Sequence, residues 1–229
     1  MISVKNIQVC YGQSVVIPDL SFTAPQGEIL GIIGRNGMGK STLFRALIGM
    51  IPTRSGTITL HDKDITGQPS YRRVAQGVAF VPQGRMIFPY LSVYENLISG
   101  VAGRVKTEAV DEIYALFPVL RDMRKRKGGN LSGGQQQQLA IGRALMTNPS
   151  VLLLDEPTEG IQPSIIKDIG RAISYLRSLG QMAIVLVEQY LDFAQELGDH
   201  LVVMDRGSIV YSCDRATMDE AALKRALAI

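Results

Sequence analysis

Two hydrophobic patterns alternate along this chain and predict different kinds of strand. Continuous apolar runs are typical of buried strands, and those in the second half of the chain are expected to be central parallel strands covered on both faces. Alternation of polar and apolar residues instead favours antiparallel strands with one solvated face. The buried strands are predicted at 28–33, 78–81, 151–154 and 183–187. The alternating strands are predicted at 2–12, 20–24 and 56–61.

The remaining patterned segments are predicted to be helical, apart from one hairpin. Leu43, Ala46, Leu47 and Met50 recur at helical spacing, and the region 92–148 is expected to be mainly helical. Individual helices are predicted at 42–50, 107–117, 164–179 and from the Ser132 cap to about Met146. Residues 202–204 and 209–211 predict a hairpin, and 52–56 a loop. The whole pattern predicts an α/β core with an antiparallel lobe and a helical insert.

The segment between the strand at 28–33 and the first helix fits the pattern G-x-x-x-x-G-K-[ST] of a phosphate-binding loop. Glycines let successive backbone N–H groups point into one hollow, and the helix start adds partial positive charge. Lys40 can reach the β- and γ-phosphates, and the Ser41 hydroxyl can ligate Mg²⁺. The alternative is a glycine-rich turn that matches by accident. The segment is Gly34, Arg35, Asn36, Gly37, Met38, Gly39, Lys40, Ser41 and Thr42.

Two carboxylates, Asp155 and Glu156, follow the buried strand at 151–154. A carboxylate at the carboxyl end of such a strand can hold Mg²⁺ directly or through water, and we assign Asp155 to that role. Glu156 is then placed to polarise an attacking water. Acid pairs at strand exits are common, so the interpretation depends on the phosphate loop being present.

A glycine pair at a helix start is the most discriminating feature of the sequence. Ser132 and Gln135 match a capping box, which predicts a helix start with free N–H groups. A well-capped helix alone does not explain Gly133 and Gly134, because each glycine costs about 1 kcal/mol of helix stability relative to alanine. We therefore expect an approaching phosphate at this segment. It comprises Leu131, Ser132, Gly133, Gly134 and Gln135.

Composition narrows the function classes. The chain has 229 residues, 46% of them hydrophobic, which suits one compact domain. Its net charge of +3 is too small to predict a nucleic-acid partner. Cys10 and Cys213 have no metal or redox spacing and are expected to be reduced thiols. No apolar run approaches the roughly 18 to 20 residues that cross a bilayer, and the N-terminus lacks a signal-peptide block, so a cytoplasmic protein is expected.

Taken together, these motifs resemble an ATP-binding-cassette (ABC) ATPase over essentially the whole chain. The resemblance implies a P-loop NTPase core of the RecA-like type with an antiparallel β subdomain and a helical subdomain. It implies one domain over 1–229, with 1–85 and 141–229 forming the catalytic core and 86–140 the helical subdomain. It also implies that two cassettes clamp two ATP molecules head to tail, so that residues 131–135 serve the nucleotide of the partner.

Further roles rest on the same resemblance. Tyr11 matches the aromatic residue that stacks on adenine, although a strand-end tyrosine on the surface is the alternative. Gln83 matches the residue that touches Mg²⁺ and senses the transmembrane partner, although a plain turn residue after Pro82 is possible. The implied partners are permease subunits, a second ABC ATPase subunit and, indirectly, a substrate-binding protein. The protein would then sit peripherally on the inner face of the cell membrane.

Two glutamines depart from the usual family pattern. Gln189 stands where a histidine is usual, and glutamine can donate a hydrogen bond to the γ-phosphate but cannot carry a proton. Gln162 stands where an aspartate is usual. These departures predict slow hydrolysis by a homodimer and leave a non-hydrolysing regulatory cassette as an alternative.

The sequence around Gln189, Val-Glu-Gln, resembles that of one cassette of the importers of branched-chain amino acids and amides. Several stretches look most like the urea-uptake branch, namely 34–40, 81–85, 131–140, 156–164 and 187–193. A soluble cassette ATPase outside transport is a further alternative. Residues 87–91 are expected to line the groove that receives a short permease helix, or to form a packed loop. The basic patch from Arg121 to Lys127 could approach anionic lipid headgroups, but a solvated face is the more frequent reason for such a run.

Overall fold

The chain alternates between strands and helices along its whole length. The computed structural model describes residues 1–228, with side-chain burial described as far as Leu227. The strands are β1 (Ile2–Tyr11), β2 (Ser14–Ala24), β3 (Ile29–Ile33), β4 (Thr53–Leu60), β5 (Lys63–Asp64), β6 (Val78–Val81), β7 (Val151–Asp155), β8 (Ala183–Glu188), β9 (His200–Asp205) and β10 (Ser208–Asp214). The helices are α1 (Lys40–Leu47), α2 (Ser70–Ala75), α3 (Val93–Ile98), α4 (Thr107–Leu116), α5 (Pro118–Asp122), α6 (Gly133–Leu145), α7 (Pro163–Ser178), α8 (Leu191–Leu197) and α9 (Glu220–Ala228).

The strands form two sheets of different type. An antiparallel sheet has the order β2-β1-β4-β5, and a six-stranded sheet has the order β10-β9-β3-β8-β7-β6. In the larger sheet β6, β7, β8, β3 and β9 pair in parallel, and only β10 runs antiparallel to its neighbour. The carboxyl ends of β3, β6, β7 and β8 therefore lie along one edge, where their following loops meet.

Helix α1 lies between the two sheets. Leu43, Phe44 and Leu47 are fully buried in a core that includes residues of both sheets. The ring of Phe44 meets that of Phe80 edge-on, with centroids 5.9 Å apart. The packing fixes the helix that follows the phosphate-binding loop against the parallel sheet.

The opposite face of the parallel sheet is covered by α6 and α7. Strand β7 shows the division: Val151 and Leu153 belong to the core around α1, whereas Leu152 and Leu154 pack towards the helices. This period of two with apolar residues on both sides is the reason that the strand reads as a continuous apolar run. Apolar residues of α3, α4 and α5 belong to the same hydrophobic core as α6 and α7, on this face of the sheet.

The predicted α/β architecture with an antiparallel and a parallel sheet is confirmed, and so are the buried strands and the hairpin. The predicted loop at 52–56 is wrong, because β4 begins at Thr53 and pairs with β1, with Thr53 opposite Val9 and Ser55 opposite Gln8. The polar, glycine-containing sequence at 53–56 has no strand pattern of its own, but pairing with β1 stabilises a strand there. The strand predicted at 20–24 begins earlier, at Ser14. The sequence patterns also did not predict β5, α2, α8 or α9.

The division into a core and a helical subdomain at 86–140 stays a prediction.

Among the described residues, no helix combines the length and the apolar character required to span a bilayer.

Candidate functional site

The phosphate-binding loop connects β3 to α1 by a tight turn. Gly39 is the residue before α1 and has a left-handed φ of 98° that favours glycine. A Cβ on Gly34 would lie only 2.4 Å from the carbonyl oxygen of Met204. Among residues 1–228, no side chain caps the start of α1, so its first amides are free to bind an anion.

Lys40 crosses the hollow of this loop. Its side chain is almost fully buried, and Nζ donates to the carbonyl oxygens of Gly34 at 2.7 Å and Arg35 at 2.9 Å. The same ammonium lies 3.3 Å from Glu156 Oε1. The lysine therefore joins the phosphate loop to the carboxylate that follows β7.

Three side chains converge on the carboxylate of Glu156. Besides the contact with Lys40, Oε2 accepts hydrogen bonds from Gln189 Nε2 at 2.7 Å and from Gln83 Nε2 at 3.2 Å. The backbone of Glu156 has φ of 48°, which a residue with a side chain rarely adopts, and its N–H donates to Val187 O at 2.9 Å. Strained backbone of this kind is concentrated at functional sites.

Asp155 lies beside Ser41, with Oδ1 3.5 Å from the Ser41 hydroxyl. Burial raises the pKa of Asp155 to about 6, and the neighbouring Glu156 adds to the rise, whereas the Ser41 hydroxyl and Lys40 oppose it. Such a buried carboxylate gains from a cation nearby. Within residues 1–228, no cluster of three or more His, Cys, Asp and Glu side chains could hold a metal ion. A divalent cation would therefore depend on the side-chain oxygens of Ser41, Asp155 and Gln83 together with those of a bound phosphate, a donor set that suits Mg²⁺.

Gln83 lies in the loop after β6 and contacts two carboxylates. Its Nε2 donates to Glu156 and also to Glu159 Oε2 at 2.9 Å. The guanidinium of Arg85 donates to the Glu159 carbonyl at 3.3 Å, and Arg143 of α6 donates to the Arg85 carbonyl at 3.3 Å. A continuous polar chain thus runs from Glu156 to the helix that begins at residue 133.

The capping box predicted at the start of α6 is present. The Gln135 amide donates to Ser132 Oγ at 3.4 Å, and the Ser132 amide donates to Gln135 Oε1 at 2.9 Å. Gly134 has a packing reason that the sequence did not reveal, because a Cβ there would lie 2.8 Å from Ile165 Cγ2. No hydrogen bond among the described residues joins the segment 131–135 to the phosphate loop.

Tyr11 ends β1 with about half of its side chain exposed. Its hydroxyl accepts a hydrogen bond from Arg45 Nη1 at 3.4 Å, so the ring is positioned from the last turn of α1. A half-exposed ring near the phosphate loop could stack on a base.

Glu159 and Glu188 were missed by the sequence reasoning. Burial raises the pKa of Glu188 to about 6 despite hydrogen bonds from the Thr158 hydroxyl at 2.8 Å and its backbone amide at 3.2 Å. These bonds hold the loop after Glu156. The signal available was the repetition of acidic residues at the ends of β7 and β8, but nothing local shows that the loops meet.

Residues 87–91 form a loop with exposed apolar side chains. Tyr90 is 84% exposed and Phe88 49%. Asn96, which is fully buried, holds the loop: its Oδ1 accepts from Phe88 N at 2.7 Å, and its Nδ2 donates to the carbonyls of Phe88 and Leu91 at 2.9 and 3.1 Å. An apolar surface held rigidly in this way suits a protein contact.

Comparisons with known proteins agree with this geometry. A family model described as ABC transporter matches residues 17–159. The high-affinity branched-chain amino acid transport ATP-binding protein BraG of Pseudomonas aeruginosa is 40% identical over 213 residues, which cover 92% of this chain and 91% of that protein. The lipopolysaccharide export system ATP-binding protein LptB of Escherichia coli is 31% identical over 215 residues, which cover 91% and 88%. The ADP conformation of MJ1267, an ATP-binding cassette of an ABC transporter, is similar with a TM-score of 0.81 at 28% identity, covering 100% of this chain and 94% of that one.

Proposed function

Because this chain belongs to the ABC transporter family of ATPases, we propose that it is the ATP-hydrolysing subunit of an importer for a small polar solute. The observation that carries the proposal is the convergence of Lys40, Gln83 and Gln189 on the Glu156 carboxylate. A purely structural acid does not need a phosphate-loop lysine and two amides around it.

We assign the parts of the site as follows. Lys40 and the amides at the start of α1 hold the phosphates, and the ring of Tyr11 stacks on the adenine of the nucleotide. Ser41, Asp155 and Gln83 are the residues that would hold Mg²⁺. Bound Mg²⁺ supplies positive charge that neutralises the phosphoryl oxygens during transfer. Glu156 accepts the proton of the attacking water at its carboxylate, and Gln83 and Gln189 orient that carboxylate.

The working form in this proposal is a dimer. Two cassettes, identical or different, would place the segment 131–135 of one against the nucleotide of the other. Two observations among the described residues support that arrangement: the capping box leaves the amides of Gly133 and Gly134 without a hydrogen bond, and no hydrogen bond joins this segment to its own phosphate loop. ATP would close the dimer and hydrolysis would open it, which drives permease subunits between their two states.

The exposed loop at 87–91 is the proposed contact with the permeases, which would hold the protein at the inner face of the cell membrane. The region 86–140, which includes this loop, is proposed as a helical subdomain attached to the catalytic core. A substrate-binding protein would act on the other side of the permeases, without touching this chain.

Two solute classes remain proposals of equal standing. Urea or short-chain amides are favoured by the stretches around Gln83 and Gln189, and branched-chain amino acids by the similarity to BraG. The solute never contacts a cassette, so neither class can be read from the site. The test is uptake of labelled urea, acetamide and leucine by vesicles that contain this protein together with candidate permease subunits, with and without ATP.

An ATPase assay separates the alternatives. A transport subunit hydrolyses ATP, and its permeases raise the ATPase rate. The ATPase rate of a soluble cassette ATPase does not change when permeases are added. A regulatory cassette binds ATP without turnover in either condition, and that result would remove catalysis from the proposal.

A further inference from the structure

A second cleft lies in the helical region, away from the phosphate loop. It has a volume of about 610 Å³ and lies between the start of α3, the start of α4 and the segment after α5. Its size is in the range of small-molecule sites and exceeds what a phosphate ion fills. The residues that matter for its chemistry are Tyr114, Thr107, Arg124 and Lys125.

Tyr114 brings a buried hydroxyl to this cleft that has no hydrogen-bond partner among the described residues. The residue is only 6% exposed, and burial raises the pKa of the phenol. Leaving such a hydroxyl unsatisfied costs about 1–3 kcal/mol, so an unpaired donor at a cleft indicates a missing acceptor. Thr107, Val110 and Tyr114 share one face of α4, and helical side chains lean towards the N-terminus.

The start of α4 presents a further free donor to the same cleft. This helix has ten residues, and among the described residues no side chain caps its start. Thr107 is the first residue of the helix and lines the cleft, and within the described part of the chain its backbone amide donates no hydrogen bond. This amide and the helix dipole favour an anion.

The charges around the cleft leave two cations available. Arg124 and Lys125 line it and form no ion pair among the described residues. Both acids of the lining are already engaged. Glu95 Oε2 accepts from the Ser92 amide and hydroxyl at 2.7 Å each, and Asp111 lies 3.4 Å from Arg121.

We propose that this cleft binds the phosphate group of a phosphate ester. The lining offers three kinds of donor: the backbone amide of Thr107, the Tyr114 hydroxyl and the cations Arg124 and Lys125. A phosphate offers three or more acceptor oxygens for such a set, and the volume of the cleft leaves room for the attached alcohol. The inference does not rest on the proposed transport function.

The ester could belong to a lipid headgroup or to a soluble metabolite. The backbone amides of Val93 and Tyr94 donate to the carbonyls of Arg126 and Arg124 at 2.8 and 3.1 Å, which holds the basic segment against the start of α3. This places the cleft next to the exposed loop at 87–91. A lipid source would therefore require that this edge of the protein face the membrane.

Binding is measured with the full chain after its phosphate loop has been filled with Mg²⁺ and a non-hydrolysable ATP analogue. Glycerol 1-phosphate is titrated by calorimetry, and sedimentation compares vesicles of phosphatidylglycerol with vesicles of phosphatidylcholine. The variants are Tyr114→Phe and the pair Arg124→Ala with Lys125→Ala. The matched control, Arg126→Ala with Lys127→Ala, removes the same charge from neighbours that do not line the cleft.

We expect Tyr114→Phe to weaken binding about 5- to 10-fold, as the loss of one hydrogen bond does, and the cleft pair to abolish it. The control pair should bind like the wild type. Retention on phosphatidylglycerol with the same dependence on the variants identifies a lipid, and binding of the soluble ester alone identifies a metabolite. No binding to either probe, or equal loss in the cleft pair and the control pair, would overturn the proposal.

Discussion

Gln189 Nε2 donates a hydrogen bond of 2.7 Å to Glu156 Oε2, although the two residues follow different strands. The bond fixes the carboxylate from the side opposite Lys40, which contacts the other oxygen. Adjacent parallel pairing of β7 and β8 brings the two loops together. A glutamine at this position orients the carboxylate without being able to exchange a proton with it.

Glu156→Gln should retain ATP binding and lose turnover. The amide cannot accept the proton of the attacking water, and loss of a general base typically costs 10²- to 10⁴-fold in rate. Steady-state ATPase rates and size-exclusion chromatography with ATP provide the measurement, and an ATP-bound dimer should accumulate. Glu159→Gln is the control, because Glu159 also accepts a hydrogen bond from Gln83, whereas the ion pair that Lys40 forms among the described residues is with Glu156. Wild-type turnover in Glu156→Gln would remove this residue from the mechanism.

Gln189→His should raise the rate of ATP hydrolysis by the homodimer. An imidazole at this position can donate a hydrogen bond to a γ-phosphate, as a glutamine amide can, and it can also carry a proton. The rate is measured at saturating Mg-ATP, with Gln162→Asp as a parallel variant at the other departure from the family pattern. An unchanged or lower rate in Gln189→His would contradict this prediction.

Arg73→Met should destabilise the protein by about 2–4 kcal/mol, because several carbonyl acceptors lose a charged donor. Arg73 is 1% exposed, and its guanidinium donates to Ala46 O and Leu47 O at 2.8 Å each, to Gln68 O at 2.9 Å and to Thr66 O at 2.6 Å. It thereby closes the carbonyl end of α1, the helix that begins at Lys40.

Urea unfolding followed by circular dichroism measures the effect. The neighbouring exposed Arg72→Met serves as the control and should change the free energy of unfolding by less than about 0.5 kcal/mol. Arg73→Lys should recover part of the loss. Equal stability of the Arg72 and Arg73 variants would contradict the structural role.

His200 should make the stability of the protein fall as the pH rises above about 6.5. Burial alone would lower the pKa of His200, but hydrogen bonds to the carboxylates of Asp214 and Glu28, at 2.5 Å each, outweigh it and raise that pKa. A raised folded-state pKa stabilises the protein fully below the unfolded value of about 6.5, and this stabilisation is lost as the pH rises through the folded pKa.

The free energy of unfolding of the wild type and of His200→Gln is therefore compared from pH 5.5 to 8.5. The advantage of the wild type should be largest near pH 6 and shrink above it. His61→Gln is the control at the other histidine. A stability advantage of the wild type over His200→Gln that grows with pH would contradict the predicted direction of the pKa shift of His200.

Local patterns were sufficient for much of the fold. The apolar run at 78–81 corresponds to β6 without any shift, and the capping box at Ser132 marks the start of α6. These features depend on neighbours within a few residues, so the sequence displays them directly. The strand beginning at Thr53 shows the opposite case, because its existence depends on pairing with β1.

The sequence was also sufficient to locate the predicted phosphate loop and the pair Asp155–Glu156, since each is a contiguous motif at the carboxyl end of a buried strand. It could not show that Gln83, Gln189 and Lys40 share one carboxylate. That convergence depends on the strand order β3-β8-β7-β6, which brings loops distant in the chain to one edge of the sheet. The raised pKa of Asp155 and the contact of Gly134 with Ile165 arise in the same way, because burial and close packing exist only after the chain has folded.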